Sequence, residues 1–114
     1  MERLARLAGF VLIAAASGTF AQDAAMWGYT PSRNLVSAET GLPTEWDPES
    51  GTNIKWSAEL GSQSYAGPVI YGDKVFVGTN NQSMRNPKLT GDRGNIMAFN
   101  LEDGAFLWQS THTK

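Results

Sequence analysis

The chain has 114 residues, 41% apolar and 18% charged, with a net charge of −2. That length bounds it to one small domain, and the composition is that of a globular chain, not a disordered one. It holds no cysteine, which excludes disulfides, thiolate metal sites, a cysteine nucleophile and a lipid-modified N-terminal cysteine, and no clustered basic stretch, so no nucleic-acid partner is expected.

The first segment reads as a signal peptide, Met1 to Ala21. Arg3 and Arg6 precede a short apolar run from Leu7 to Ala16, and Thr19 and Ala21 are the small residues for cleavage after Ala21. The run is shorter than the roughly 20 residues that a membrane-crossing helix needs. A helical leader, no stable membrane span after cleavage and a secreted or periplasmic location are therefore expected. Arg3 and Arg6 are not adjacent, so a twin-arginine signal is not indicated.

Residues 22–52 follow as an extended lead-in arm. Pro31 and Pro43 break it, and no period of 2 or 3.6 runs through it. Trp27, Tyr29 and Trp46 call for a surface on which to bury, which predicts an arm lying across a larger body.

Residues 53–114 form the third region. From Asn53 to Leu60 apolar and polar residues alternate, with Ile54, Trp56, Ala58 and Leu60 on one face and Lys55, Ser57 and Glu59 on the other. That pattern predicts a half-buried strand, the outer strand of an earlier sheet. Strands are then predicted over 66–71, 74–79, 95–100 and 105–110. Pro68 lacks a backbone donor, so the first should start at or just after it, or lie at an edge. Gly72-Asp73 is a two-residue hairpin connection. Residues 80–93 form a long polar loop. Leu101-Glu102-Asp103-Gly104 is a turn, because glycine accepts the positive φ that such a turn needs. The expected result is an all-β chain with an up-and-down four-stranded antiparallel sheet.

The last hairpin has a counterpart upstream. Asp47-Pro48-Glu49-Ser50-Gly51 is again an acidic, polar turn ending in glycine, and it is followed by Trp56 as Gly104 is followed by Trp108. The two tryptophans are 52 positions apart, and the 80–93 loop accounts for fourteen of these. The remainder approaches the roughly 40–45 residues of a four-stranded propeller blade.

These residues resemble the pyrroloquinoline-quinone (PQQ)-like β-propeller repeat. Its blades end in a motif of the form Ala-x-Asp-x-x-Thr-Gly-x-x-x-Trp. Here Ala98-x-Asn100-x-x-Asp103-Gly104-x-x-x-Trp108 is similar to it, with Asn for Asp and Asp for Thr, and Ser50-Gly51 with Trp56 is a looser match carrying one extra residue. The stretch from Arg33 to Trp46 also resembles the N-terminal arm of secreted propellers of this kind. The resemblance implies the N-terminal fragment of a propeller: about one four-stranded blade plus the outer strand of another. It also implies that the tryptophan docks between neighbouring blades and stacks on the peptide of the next turn. Gly51, Trp56, Ala98, Gly104 and Trp108 are the residues it assigns to docking, and the remaining blades are the implied partners. Burying an indole removes roughly 150–250 Å² from water, a gain of several kcal/mol at about 25 cal/mol/Å².

Chemistry is harder to place. Trp56 and Trp108 have the shape to stack on a quinone, but blade docking accounts for them. Asp47, Glu49, Glu102 and Asp103 flank Pro or Gly at turns, where carboxylates cap backbone amides. Arg85, Lys88, Asp92 and Arg93 lie in the long loop, where a solvated face is the ordinary reading and an anionic ligand the sharper one. Asn81-Gln82-Ser83 fits a glycosylation acceptor, and His112 is the only histidine. No phosphate loop and no His-Glu-x-x-His spacing is present. No catalytic, cofactor-binding or metal-binding residue is assigned, and no cofactor is expected in this chain. The expected function is a non-catalytic binding or scaffold module of the cell envelope, with an envelope protein or polysaccharide as ligand. The alternative is part of a PQQ-dependent quinoprotein dehydrogenase whose catalytic Asp, calcium site and adjacent cysteines lie in other blades.

Overall fold

The structure, a computed structural model, describes residues 23–113. The expected leader and its cleavage point lie outside these residues.

Four strands are present: β1 (Val69–Tyr71), β2 (Lys74–Asn80), β3 (Arg93–Asn100) and β4 (Phe106–Thr113). They form one antiparallel sheet in chain order. The described residues contain no helix. The four expected strands are thus found, with shifted limits. β1 begins at Val69, directly after Pro68, where backbone donors resume. β2 and β3 extend into the long connection as far as the Asn80–Gly94 pair, with β3 starting at Arg93, so the loop shortens to 81–92. β4 starts one residue late, because the Ala105 carbonyl closes the turn by accepting the Asn100 N–H at 2.8 Å.

The strand expected over 53–60, as the outer strand of an earlier sheet, is not formed. The segment joins no ladder. Its alternation survives as burial from Trp56 onward: Trp56, Ala58 and Leu60 are half-buried, while Lys55, Ser57 and Glu59 are exposed; Ile54, expected on the buried side, is exposed. The apolar side faces Val75, Val77 and Phe99 across a narrow apolar groove. The period-2 pattern therefore records a segment lying over the sheet, because a side-chain pattern sets which face is buried and does not supply a backbone partner. The segment is tied at its far end by Gly61 N–H donating to Thr79 Oγ1 at 3.0 Å, Asn80 N–H to the Gln63 carbonyl at 3.1 Å and Ser64 Oγ to the Gly78 carbonyl at 2.7 Å.

Strand register divides the sheet into two faces. One carries Val75, Val77 and Thr79 opposite Phe99, Met97 and Asn95, and lies beneath the 56–66 segment. The other carries Phe76, Ala98 and Trp108 in one row. Met97, Ala98 and Phe99 of the inner strand β3 are the buried apolar core. Ala98 is small enough for the Phe76 and Trp108 rings of the flanking strands to meet over it, their centroids 5.9 Å apart.

The arm reaches the sheet at its start. Ala24 pairs with Ile70 through two backbone bonds, of 2.9 and 3.1 Å, which covers the free edge of β1. Asp23 Oδ1 accepts the Gly72 N–H at 2.8 Å. Trp27 and Trp46 are 70% and 67% exposed. The surface expected to bury them is not supplied by the described residues.

Candidate functional site

The turn after β3 is built by its own side chains. Asn100 Oδ1 accepts the Glu102 N–H at 2.8 Å, Asp103 Oδ1 accepts the Ala105 N–H at 3.0 Å, and the Gly104 N–H donates to the Asn100 carbonyl at 2.9 Å. These short polar side chains bond the backbone two residues on, as Asn and Asp do in turns. Gly104 has φ 71°.

Trp56 lies on this turn. A Cβ built on Gly104 would stand 2.6 Å from Cδ2 and Cε3 of the Trp56 ring, closer than any side chain allows. The Trp56 Nε1–H donates to the Leu101 carbonyl at 2.9 Å. Glycine is thus required here twice, for its φ and for the ring above it. Lys55 Nζ, beside the indole, meets Glu102 Oε2 at 2.7 Å; both side chains are exposed, so the pair contributes little, about 0–1 kcal/mol.

The upstream turn has the same construction. Asp47 N–H donates to the Thr52 carbonyl at 3.0 Å, as Asn100 N–H does to that of Ala105. Asp47 Oδ1 accepts the Glu49 N–H at 2.9 Å, as Asn100 Oδ1 does for Glu102. Gly51 has φ 76° beside 71° for Gly104. The extra residue before Trp56 is taken up at Asn53, with φ 56°, a conformation asparagine tolerates. Above Gly51, however, nothing lies within 4 Å of a built Cβ.

Of the five docking residues read from the sequence, Trp56 and Gly104 are in contact. Ala98 lies on the opposite face, under Phe76 and Trp108. Gly51 is open, and Trp108 is 44% exposed. The contribution of the Leu101 carbonyl is not legible in the motif, since a backbone acceptor leaves no side-chain signature. The matching turns were readable, because Asp47 and Asn100 stand at the same distance before their glycines.

Of the four carboxylates expected at turns, Asp47 and Asp103 cap backbone amides, while the Glu102 carboxylate meets Lys55. Asp47 is held below the ordinary aspartate range, first by the Ser50 hydroxyl and then by the Glu49 N–H. Asp73 is likewise lowered, by its hydrogen bond and charge pairing with Lys74. Both are on the surface.

The 81–92 loop is more closely attached than a solvated face. Arg85 stacks its guanidinium on the sheet, Cζ lying 4.4 Å from the Phe106 centroid and 5.7 Å from that of Phe99. It also donates from one guanidinium nitrogen to the Glu59 carbonyl at 2.7 Å, so a donor and its flat face are engaged within the chain. Arg93 donates to the Thr90 carbonyl at 2.8 Å. At the loop root, buried Asn95 Nδ2 donates to Asn81 Oδ1 at 3.0 Å, and Asn81 Nδ2 to the Leu89 carbonyl at 2.5 Å. The buried oxygens Asn95 Oδ1 and Gln109 Oε1 lack a donor. His112 Nε2 and Ser110 Oγ are 2.8 Å apart on exposed β4. No cluster of three His, Asp or Glu side chains able to hold a metal occurs among the described residues, and no helix there is long and apolar enough to cross a membrane.

Comparison with protein families, with curated protein sequences and with solved structures returns no match to this chain.

Proposed function

We propose that residues 53–113 are one blade, with the outer segment of its predecessor, of a PQQ-like β-propeller in a secreted or periplasmic protein. Its role in this reading is to bind or scaffold, not to catalyse. The observation that carries it is Trp56 stacked on Gly104 with its N–H on the Leu101 carbonyl. The resemblance implies a tryptophan of one blade lying on the peptide of the next turn, and this pair has that form. The up-and-down four-stranded sheet supports it as well. The partners are the remaining blades, on the Trp108 face, and an envelope protein or polysaccharide as ligand.

Equilibrium dialysis of the chain against PQQ with calcium tests the non-catalytic reading. No saturable uptake is expected, and stoichiometric binding would replace it with a quinoprotein dehydrogenase. N-terminal sequencing of the exported chain tests the location. The expected first residue is Gln22, and a cytoplasmic chain that retains Met1 overturns it.

A further inference from the structure

The two turns and two indoles make one complete pair and two unmatched halves. Trp56 occupies the Gly104 turn. The Gly51 turn shares the backbone bond that closes the Gly104 turn, its side-chain cap two residues on and its glycine conformation, and the space above it is open. Trp108 follows Gly104 as Trp56 follows Gly51, yet it rests on no turn: its ring meets that of Phe76 on one side and stays 44% exposed. One half is a receptor without an indole, and the other is an indole without a receptor.

We propose that a second copy of this chain joins them, with Trp108 of one copy docking on the Gly51 turn of the next. In the occupied turn the indole N–H bonds the carbonyl of Leu101, three residues before Gly104. Pro48 stands at that position before Gly51, and its carbonyl is the acceptor for Trp108. Leu107 precedes Trp108 where Lys55 precedes Trp56, so the Lys55–Glu102 pair has no counterpart and the association does not depend on an ion pair. Because indole and receptor are different patches of the chain, the contact is head to tail. Such an interface continues from copy to copy until it closes as a ring or extends as a filament. This stands apart from the propeller reading, in which a further blade would take the Trp108 face, since it uses only the two matched turns and their tryptophans.

Sedimentation velocity on the full 114-residue chain tests it, with three samples compared. The wild type is expected to form concentration-dependent oligomers that persist in high salt. Trp108→Ala and Gly51→Asn, each alone, are expected to be monomers. Asparagine tolerates the left-handed conformation at position 51 and places its side chain where the ring would lie. Gly51 packs against nothing, so this variant has no contact to lose in the monomer, and far-UV circular dichroism checks that both variants keep the sheet. The decisive sample is their equal mixture. Trp108→Ala keeps the receptor and Gly51→Asn keeps the indole, so together they form a dimer and nothing larger. A monomeric wild type, a Gly51→Asn variant that still assembles, or a mixture that stays monomeric overturns the proposal. Assembly abolished by Trp108→Ala but not by Gly51→Asn would identify a symmetric contact between Trp108 faces instead.

Discussion

The indole of Trp56 lies against the backbone of Gly104, so close that a Cβ at position 104 would fall 2.6 Å from the ring. Its nitrogen reaches the Leu101 carbonyl of the same turn, at 2.9 Å. The covering segment is thereby fastened at one end by this indole and at the other by the Gly61 and Gln63 bonds to β2.

Gly104→Ala is expected to destabilise the chain by about 2–4 kcal/mol, from left-handed strain and loss of the ring contact together. Gly51→Ala meets the strain alone, because nothing lies above it, and should cost about 1–2 kcal/mol. Urea unfolding midpoints of the two variants measure the difference. Equal losses would show that the Trp56 contact contributes nothing.

Trp56→Phe keeps an aromatic face over Gly104 and deletes the bond to Leu101. A loss of about 1 kcal/mol is expected, the net contribution of one hydrogen bond. Trp56→Ala should cost about 3–5 kcal/mol by removing the apolar surface as well. Thermal unfolding followed by near-ultraviolet circular dichroism distinguishes the two.

Arg85→Met retains a flexible apolar chain over Phe106 but removes the cation and the donor to Glu59. The cation–π part is worth about 0.5–1 kcal/mol at an exposed site. The expected outcome is faster amide hydrogen exchange across residues 81–92, with β3 protection unchanged. Unchanged exchange in the loop would mean that Asn81 and Asn95 hold it without help.

Asp47 carries a depressed pKa in the folded chain, the Ser50 hydroxyl being the main cause and the Glu49 N–H the next. A depressed folded value means that its contribution to stability is present above the unfolded pKa and is lost as pH falls through the folded one. The 47–52 turn should therefore loosen only in acid, below the ordinary aspartate range. The Glu49 amide proton resonance measures this, and a midpoint at or above the ordinary aspartate value would contradict the bond. In Asp47→Asn the acid transition should disappear, since the amide oxygen still accepts from Glu49 but does not titrate.

Much of the sheet was legible because its signals are local. Gly72-Asp73 and Leu101–Gly104 carry turn chemistry that hardly depends on what surrounds them, and the apolar runs between them pair with their nearest neighbours in the chain. Pro68 located the start of β1 for the same reason, since a missing donor is a property of the residue itself. The 53–60 segment shows where such reading stops. Its alternation correctly separated half-buried Trp56, Ala58 and Leu60 from exposed Lys55, Ser57 and Glu59, though not Ile54, which is exposed, and the same pattern serves a strand in a ladder and a segment lying over one.

By itself, then, the sequence determined the four strands of the sheet, their turns and the capping roles of Asp47 and Asp103, because period-2 burial and Asx hydrogen bonding act over a few residues. Only the tertiary structure decided that Trp56 rests on Gly104, that Arg85 lies on Phe106, that Trp108 packs on Phe76 while 44% exposed, and that nothing lies above Gly51. Those outcomes join residues brought together by the path of the chain across the sheet. The motif that includes Gly104 names the glycine and the tryptophan but not which tryptophan meets which glycine, and that choice is made by topology.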